Sequence, residues 1–228
     1  MIFGKIDFLN LLPFHVFMKR YARSLRIHQS LHYHRGVPSA LNRDFAMRRI
    51  DAAFISSITT IGRRHYGIGI VAKKEVLSVL TVPSDQPKND ADSATSNRLA
   101  QVLDITGDVL IGDKALRHYY SGEPFNDLGK IWNDKTGLPF VFALLCGHGY
   151  SEELQRLSKA FVSKKTKIPH YLLLKASKSS HLSPLQILDY LNYITYEISQ
   201  QEKRGLKRFI KEAKERGVSP SRGEIRYR

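Results

Sequence analysis

Apolar and polar positions in the first sixty residues follow two alternating rhythms, and the changes between them set the element order. Residues 2–7 run in a short β-type pattern. After Leu9-Asn10-Leu11-Leu12 the spacing turns helical over residues 14–22, with Pro13 suited to a first helical turn, where its missing N–H costs nothing. Residues 29–35 form a second extended run, ended by Gly36-Val37-Pro38. Pro38 opens a second helix with Leu41, Phe45 and Met47 near one face, closing at Arg48-Arg49, and residues 51–56 make a third strand. This βαβαβ order predicts a parallel sheet, because parallel neighbours require crossover connections of helix length.

Beyond Ser57 the rhythm loosens. Gly62, Gly67 and Gly69 read as loop positions, residues 76–82 as a continuous β-type run, and residues 83–93, rich in Pro, Asp, Ser and Asn, as a surface loop. Thr95 or Ser96 is expected to cap a helix carrying Leu99, Val102 and Leu103, and residues 109–111 form a short strand ending in Gly112-Asp113. Residues 127–135 suit a helix around Trp132, and residues 138–145 a buried strand. The remainder is read as helical, with starts at Ser151, Ser183-Pro184 and Gln200, the last helix running to Arg216 before Gly217. The expected class is α/β with two lobes, residues 1–80 with 145–228 and residues 81–144, joined by crossing strands at 76–82 and 138–145. A single doubly wound sheet is the competing arrangement.

Composition narrows the function classes. With 42% hydrophobic and 25% charged residues the chain is neither a disordered tail nor a fibrous rod. No apolar stretch approaches the roughly 18 residues of a membrane span. Asp7 stands where a secretory signal would carry its apolar run, and the single Cys146 can form no internal disulfide, so the cytoplasm is the expected compartment and Cys146 a buried thiol. The net charge of +15 favours an anionic partner, small or polymeric. His28, His32 and His34 lack Cys or carboxylate neighbours at ligand spacing, so no metal is expected, and no phosphate-binding glycine loop supports a nucleotide cofactor. Lys203, Arg204, Lys207, Arg208, Lys211, Lys214 and Arg216 alternate with Glu202, Glu212 and Glu215 around an apolar face of Leu206, Phe209, Ile210 and Ala213. That is a solvated amphipathic helix rather than a nucleic-acid arm. Tyr190, Tyr193 and Tyr196 read as a packing row at helical spacing.

Ligands of open α/β sheets bind beyond the carboxyl ends of parallel strands, and small polar residues gather there. Asn10 follows the first strand, Ser39 and Asn42 the second, Ser56 and Ser57 the third, and Gly112 and Asp113 a later one. Ser93-Ala94-Thr95-Ser96-Asn97 at a helix start suits an anion, through hydroxyls, free N–H groups and the helix dipole. Ser39, Thr95, Ser96 and Asp113 also suit ordinary caps, whereas Asn10 stands too far ahead of Pro13 to cap that helix.

The sequence resembles the chorismate dehydratases of the futalosine route to menaquinone. The resemblance lies in Gly4-Lys5-Ile6-Asp7-Phe8-Leu9-Asn10 with Leu12-Pro13, in Gly36-Val37-Pro38-Ser39-Ala40-Leu41-Asn42, and in Ile50-Asp51-Ala52-Ala53-Phe54-Ile55-Ser56-Ser57. It continues in Leu110-Ile111-Gly112-Asp113-Lys114-Ala115-Leu116 and from Asp127-Leu128-Gly129 through Trp132 to Thr136-Gly137-Leu138-Pro139-Phe140-Val141-Phe142-Ala143. It implies a two-lobed type II periplasmic-binding-protein fold with a ligand cleft between the lobes. It further implies loss of water from the small anion chorismate to give 3-[(1-carboxyvinyl)oxy]benzoate, without metal or organic cofactor.

Under that resemblance Ser39, Ser56, Ser57, Thr95, Ser96, Asn97 and Gly112 are the substrate-binding candidates, with Thr136, Gly137 and Leu138 lining a closing wall. Asn10 orients the reacting group, and Asp113 or, preferably, a carboxylate of the substrate takes the ring proton. The alternative is a cytoplasmic solute-binding protein for a small aromatic carboxylate, which uses the same fold without reaction. The sister enzyme of the route, the dihydroxynaphthoate synthase, is expected to be richer in Pro and Cys at the first turn.

Overall fold

The computed structural model describes residues 1–24 and 31–217. In chain order it runs β1 (Ile2–Lys5), α1 (Leu12–Ser24), β2 (His32–Arg35), α2 (Pro38–Ala46), β3 (Ala52–Ser56), β4 (His65–Ala72) and β5 (Val79–Val82). There follow α3 (Ala94–Leu103), β6 (Asp108–Ile111), α4 (Gly112–Ser121), β7 (Asn126–Asp127), α5 (Leu128–Thr136) and β8 (Phe140–Gly147). The chain ends in α6 (Ser151–Val162), α7 (His170–Ser180), α8 (Pro184–Asn192), β9 (Ile194–Glu197) and α9 (Gln200–Glu215). Residues 29–30 of the second extended run, and His28, lie outside the described residues.

The first sheet has the order β2-β1-β3-β8-β4-β9 and the second β6-β5-β7. Parallel pairing holds for β1 with β2 and β3, as the βαβαβ pattern predicts. From β3 onward the pairing is antiparallel, and so is the whole second sheet. The chain passes between the sheets at residues 73–78 and 137–139, so the two runs read as crossing strands are strands of the sheets themselves, β5 of the second and β8 of the first.

Three other readings are corrected. Gly62 stands in a turn as expected, but Gly67 and Gly69, also read as loop positions, lie in β4, an eight-residue strand inside the first sheet. Gly69 sits there because the Ala143 carbonyl of β8 comes too close for any Cβ, so the glycine serves sheet packing rather than a turn. Residues 194–197 form β9 instead of continuing a helix, so Tyr190, Tyr193 and Tyr196 share no helix face. The cap of α3 is Ser93, whose hydroxyl accepts the Ser96 N–H at 3.2 Å, which leaves Thr95 and Ser96 inside the first turn.

A large aromatic cluster fills the first sheet's interior. Phe14 of α1 meets Phe54 of β3 edge-on at 4.9 Å between centroids and Phe161 of α6 at 5.1 Å. A second cluster ties the sheets together: Trp132 of α5 packs on Phe140 of β8 at 5.4 Å and on Phe209 of α9 at 6.1 Å. Apolar burial is thus continuous across the crossover segments. The apolar side of α9 is buried through Phe209 and Ala213, as its amphipathic pattern predicts, and Ser199 and Glu202 close its start as a capping box. Asp127 fixes the first crossing. Its carboxylate accepts the N–H groups of Val76 at 3.0 Å, Leu77 at 2.8 Å and Lys130 at 3.0 Å, capping α5 and pinning residues 76–77 at once.

Candidate functional site

The carboxyl end of β1 leads into a short 3-10 turn at Leu9–Leu11, and this stretch is held from two sides. His15 of α1 donates from Nε2 to the Ile6 carbonyl at 2.7 Å, and burial holds its imidazole neutral, with a pKa lowered to about 4. The Tyr196 hydroxyl of β9 donates to the Asn10 carbonyl at 2.5 Å. The Tyr190 hydroxyl, fully buried on α8, donates to Ser78 Oγ at 2.8 Å. Asn10 itself is 9% exposed, and its Oδ1 is buried without a partner.

Against this turn stands the start of α4. Gly112 adopts φ +59°, and a Cβ there would meet the Phe8 ring at 3.2 Å, so glycine is what lets the turn and the helix approach. Asp113 follows, inside the first turn of α4 and not at its cap, which is Ile111. Its Oδ1 is buried without a partner. Burial raises its pKa, partly offset by the nearby Arg117 guanidinium. Asn10 and Asp113 therefore bring two unsatisfied acceptors to one turn, an arrangement that a ligand with O–H groups would relieve.

Asp113 also lines a cleft of about 520 Å³. One wall carries Ile6, Asp7, Phe8, Arg35, Gly36 and Val37 from the ends of β1 and β2; the other carries Asp92, Ile111, Lys114 and Arg117. Cations thus stand on both walls, and the size suits a small organic anion. Arg117 is oriented by donation to the Ser180 carbonyl at 3.0 Å.

The remaining candidates separate into groups. Ser57, Thr95 and Ser96 come together where the end of β3 meets the start of α3. Ser57 Oγ and Thr95 Oγ1 are 3.4 Å apart, Thr95 Oγ1 accepts the Ile58 N–H at 3.3 Å, and Ser96 Oγ accepts from Ser93 Oγ at 2.7 Å. All three are buried. Ser56 is taken by Asn42, which gives Nδ2 to its hydroxyl at 2.8 Å and receives its N–H on Oδ1 at 3.0 Å. Ser39 stands in the first turn of α2, close in sequence to the cleft residues Gly36 and Val37; the cap is Val37.

Asn97 clamps the preceding loop through both backbone groups of Asp90. Thr136, Gly137 and Leu138 close the carboxyl end of α5: Thr136 Oγ1 donates to the Trp132 carbonyl at 2.7 Å and accepts the Leu138 N–H at 3.1 Å, with Gly137 at φ +66°. The neighbouring Lys135 reaches the Val102 carbonyl near the far end of α3 at 3.5 Å.

Residues that the sequence reading passes over are Ser78, Arg117, Tyr190 and Tyr196. The alternation of Ile194, Tyr196 and Ile198 with Thr195 and Glu197 is a strand pattern that could have separated Tyr196 from the helical row. Cys146 is buried and its thiol is pushed up to about 12 by burial, consistent with a packing role. His32 and His34 are exposed on the edge strand β2, where His34 pairs with Asp44 at 3.0 Å. Among the described residues no helix is long and apolar enough to cross a membrane.

Two sheets facing a cleft, with the chain crossing twice between them, define the class: the fold is that of the periplasmic binding proteins. The structure is similar to a protein from Archaeoglobus fulgidus with a TM-score of 0.62 at 17% identity, over 95% of this chain and 97% of that one. It is also similar to the alkanesulfonate-binding protein SsuA from Xanthomonas axonopodis pv. citri bound to MOPS, with a TM-score of 0.57 at 12% identity over 97% and 94% of the two chains. Such identities speak to the fold alone.

The sequence carries the assignment further. Residues 95–215 match the model of a family described as menaquinone biosynthesis. The chain is 44% identical over 218 residues, 94% of its length and 98% of the relative's, to the chorismate dehydratase of Campylobacter jejuni subsp. jejuni serotype O:23/36 (strain 81-176). The chain belongs to the chorismate dehydratase family of menaquinone biosynthesis.

Proposed function

We propose that this protein is a hydro-lyase of the cytoplasm that removes water from chorismate to give 3-[(1-carboxyvinyl)oxy]benzoate, with the two sheets as the cores of two lobes that hold the substrate between them. Family membership supports the reaction, and the observation that carries it to these residues is Asp113 Oδ1, a partnerless buried acceptor of a residue that lines a cleft with cations on both walls, with a second such acceptor, Asn10 Oδ1, on the turn that follows β1.

The substrate is a dianion. Arg35, Lys114 and Arg117 supply the attraction, and the Ser57, Thr95 and Ser96 hydroxyls at the start of α3 supply directed hydrogen bonds for a carboxylate. Loss of the ring hydroxyl with the neighbouring ring proton creates an aromatic ring, which supplies the driving force and leaves binding, orientation and exclusion of water to the protein. In the step itself the ring C–H bond breaks as its proton passes to a carboxylate of the substrate. The electron pair forms the new ring double bond, and the C–O bond breaks as the hydroxyl takes that proton from the carboxylate and leaves as water. Asn10 orients the reacting hydroxyl, and Asp113, whose carboxyl holds its proton to higher pH than an exposed aspartate, borders it.

Purified protein incubated with chorismate should generate the ultraviolet absorbance of a benzoate ring. A protein that is thermally stabilised by aromatic carboxylates yet leaves chorismate unchanged would be a solute-binding protein instead.

A further inference from the structure

Charge is spread unevenly along the chain. Residues 154–188 carry seven Lys and Arg and no Asp or Glu, so nearly half of the net charge of +15 comes from this one stretch. It covers most of α6, the link to α7, α7 itself and the first half of α8. Lys164, Lys165 and Lys167 in the link and Lys175 and Lys178 on α7 are all exposed. Among the described residues none of these five lysines is ion-paired with a carboxylate.

The same region is apolar on its outer side. Leu173 and Ser180 of α7, with Ile187 and Tyr190 of α8, are buried, whereas Tyr171 and Leu174 of α7 and Leu185 and Leu188 of α8 are exposed, Leu185 to 78%. Each exposed pair is three residues apart and so lies on one side of its helix, and Lys178, four residues after Leu174, shares that side. The two helices pack against each other across a three-residue turn. None of these residues lines the cleft. Leucines left in water on two adjoining helices among unpaired lysines call for a partner that is both apolar and anionic. A second copy of this chain does not meet that need, since a two-fold contact would set the lysines against one another, and nucleic acid has no use for the leucines. A bilayer offers headgroup charge to the lysines, whose long stems carry the ammonium outward, and acyl chains to the leucines, with Tyr171 suited to the boundary.

We propose that the outer face of α7 and α8 is a peripheral docking surface for an anionic lipid bilayer, on which the protein lies without crossing it. The lysines draw it to the headgroups, and Leu174, Leu185 and Leu188 enter the interface. This surface is independent of the dehydratase reading.

The test is sedimentation of the full chain at physiological salt with sucrose-loaded vesicles of phosphatidylcholine, with or without about one third phosphatidylglycerol. Binding should be about tenfold tighter on the anionic vesicles and should weaken as salt is raised. Leu185→Ser with Leu188→Ser should weaken it about tenfold while the thermal melt stays in place, because both side chains are exposed. Lys175→Glu with Lys178→Glu should weaken it as much, whereas Lys207→Glu with Lys214→Glu, the same charge change at exposed positions of α9, should cost about twofold or less. Equal losses from the two lysine pairs would mean attraction by net charge alone and overturn the proposal, as would failure to bind anionic vesicles or leucine variants that bind like the parent. A protein that ignores vesicles yet binds polyglutamate through these lysines would be using the face for an acidic protein. A dimer seen by light scattering and dissolved by the leucine variants would assign the face to a second copy, and either result overturns the lipid assignment.

Discussion

Asp127, buried, and Asp113, half-buried with its Oδ1 enclosed, are carboxylates at the starts of helices flanking the second sheet, and their hydrogen bonding differs. Asp127 is saturated: backbone N–H groups from Val76, Leu77 and Lys130 converge on it, and nothing about it invites a ligand. Asp113 lines a cleft and keeps its Oδ1 buried and idle. A buried charge that is fully met builds the fold; one left half-met is held by the fold for something else. Asn10 repeats the contrast within one residue, its carbonyl satisfied by Tyr196 and its Oδ1 left open.

Substitutions should separate these roles. Asp127→Ala removes an acceptor from three backbone donors, and a loss of about 4 kcal/mol in urea unfolding is expected, with failure to fold as its extreme form. A loss below about 1 kcal/mol would show that the crossing is held by other contacts. Asn10→Ala should reduce kcat about a hundredfold while its melting temperature stays near that of the parent, since the Tyr196 bond is to backbone. Unchanged turnover would remove Asn10 from the site.

Acid should loosen the turn that carries Asn10. His15 has its pKa lowered from 6.5 to about 4, so the native state favours the neutral ring. Its contribution is therefore complete above 6.5 and is lost as pH falls from there toward 4, about 2 kcal/mol between pH 7 and pH 5. His15→Gln should lack that portion of the pH dependence, and parallel unfolding curves for parent and variant would contradict it. The smallest effect concerns Asp113, whose raised pKa means that native stability falls as pH rises through the window above 3.8. Asp113→Asn avoids that cost, and a gain of about 0.5 kcal/mol at pH 7 is expected after solvent screening of a part-exposed group, the gain vanishing below pH 4 while turnover drops.

Much of this was legible in the chain. The βαβαβ opening, the helix start at Ser183-Pro184 and the amphipathic α9 follow from local patterning, and Asn10 stands out because it caps nothing. What failed did so for reasons of distance. β4 hides behind two glycines, of which Gly69 is required by the approach of β8, a strand some seventy residues later, and Gly67 by its own φ of +76°. The antiparallel turn of the first sheet at β8 depends on a return from the second sheet that no local pattern announces. Tyr196 looks like packing until the fold lays its hydroxyl on the Asn10 carbonyl. The cap at Thr136 shows the converse, a motif residue whose hydroxyl is consumed locally.

The most direct measurement is mass spectrometry of chorismate incubated with the wild-type protein and with Asn10→Ala side by side. A product lighter than chorismate by one water, formed rapidly by the wild type and about a hundredfold more slowly by the variant, is the result predicted here. Chorismate recovered intact from the wild type, or the same product formed equally fast by both proteins, would contradict the assignment of this cleft.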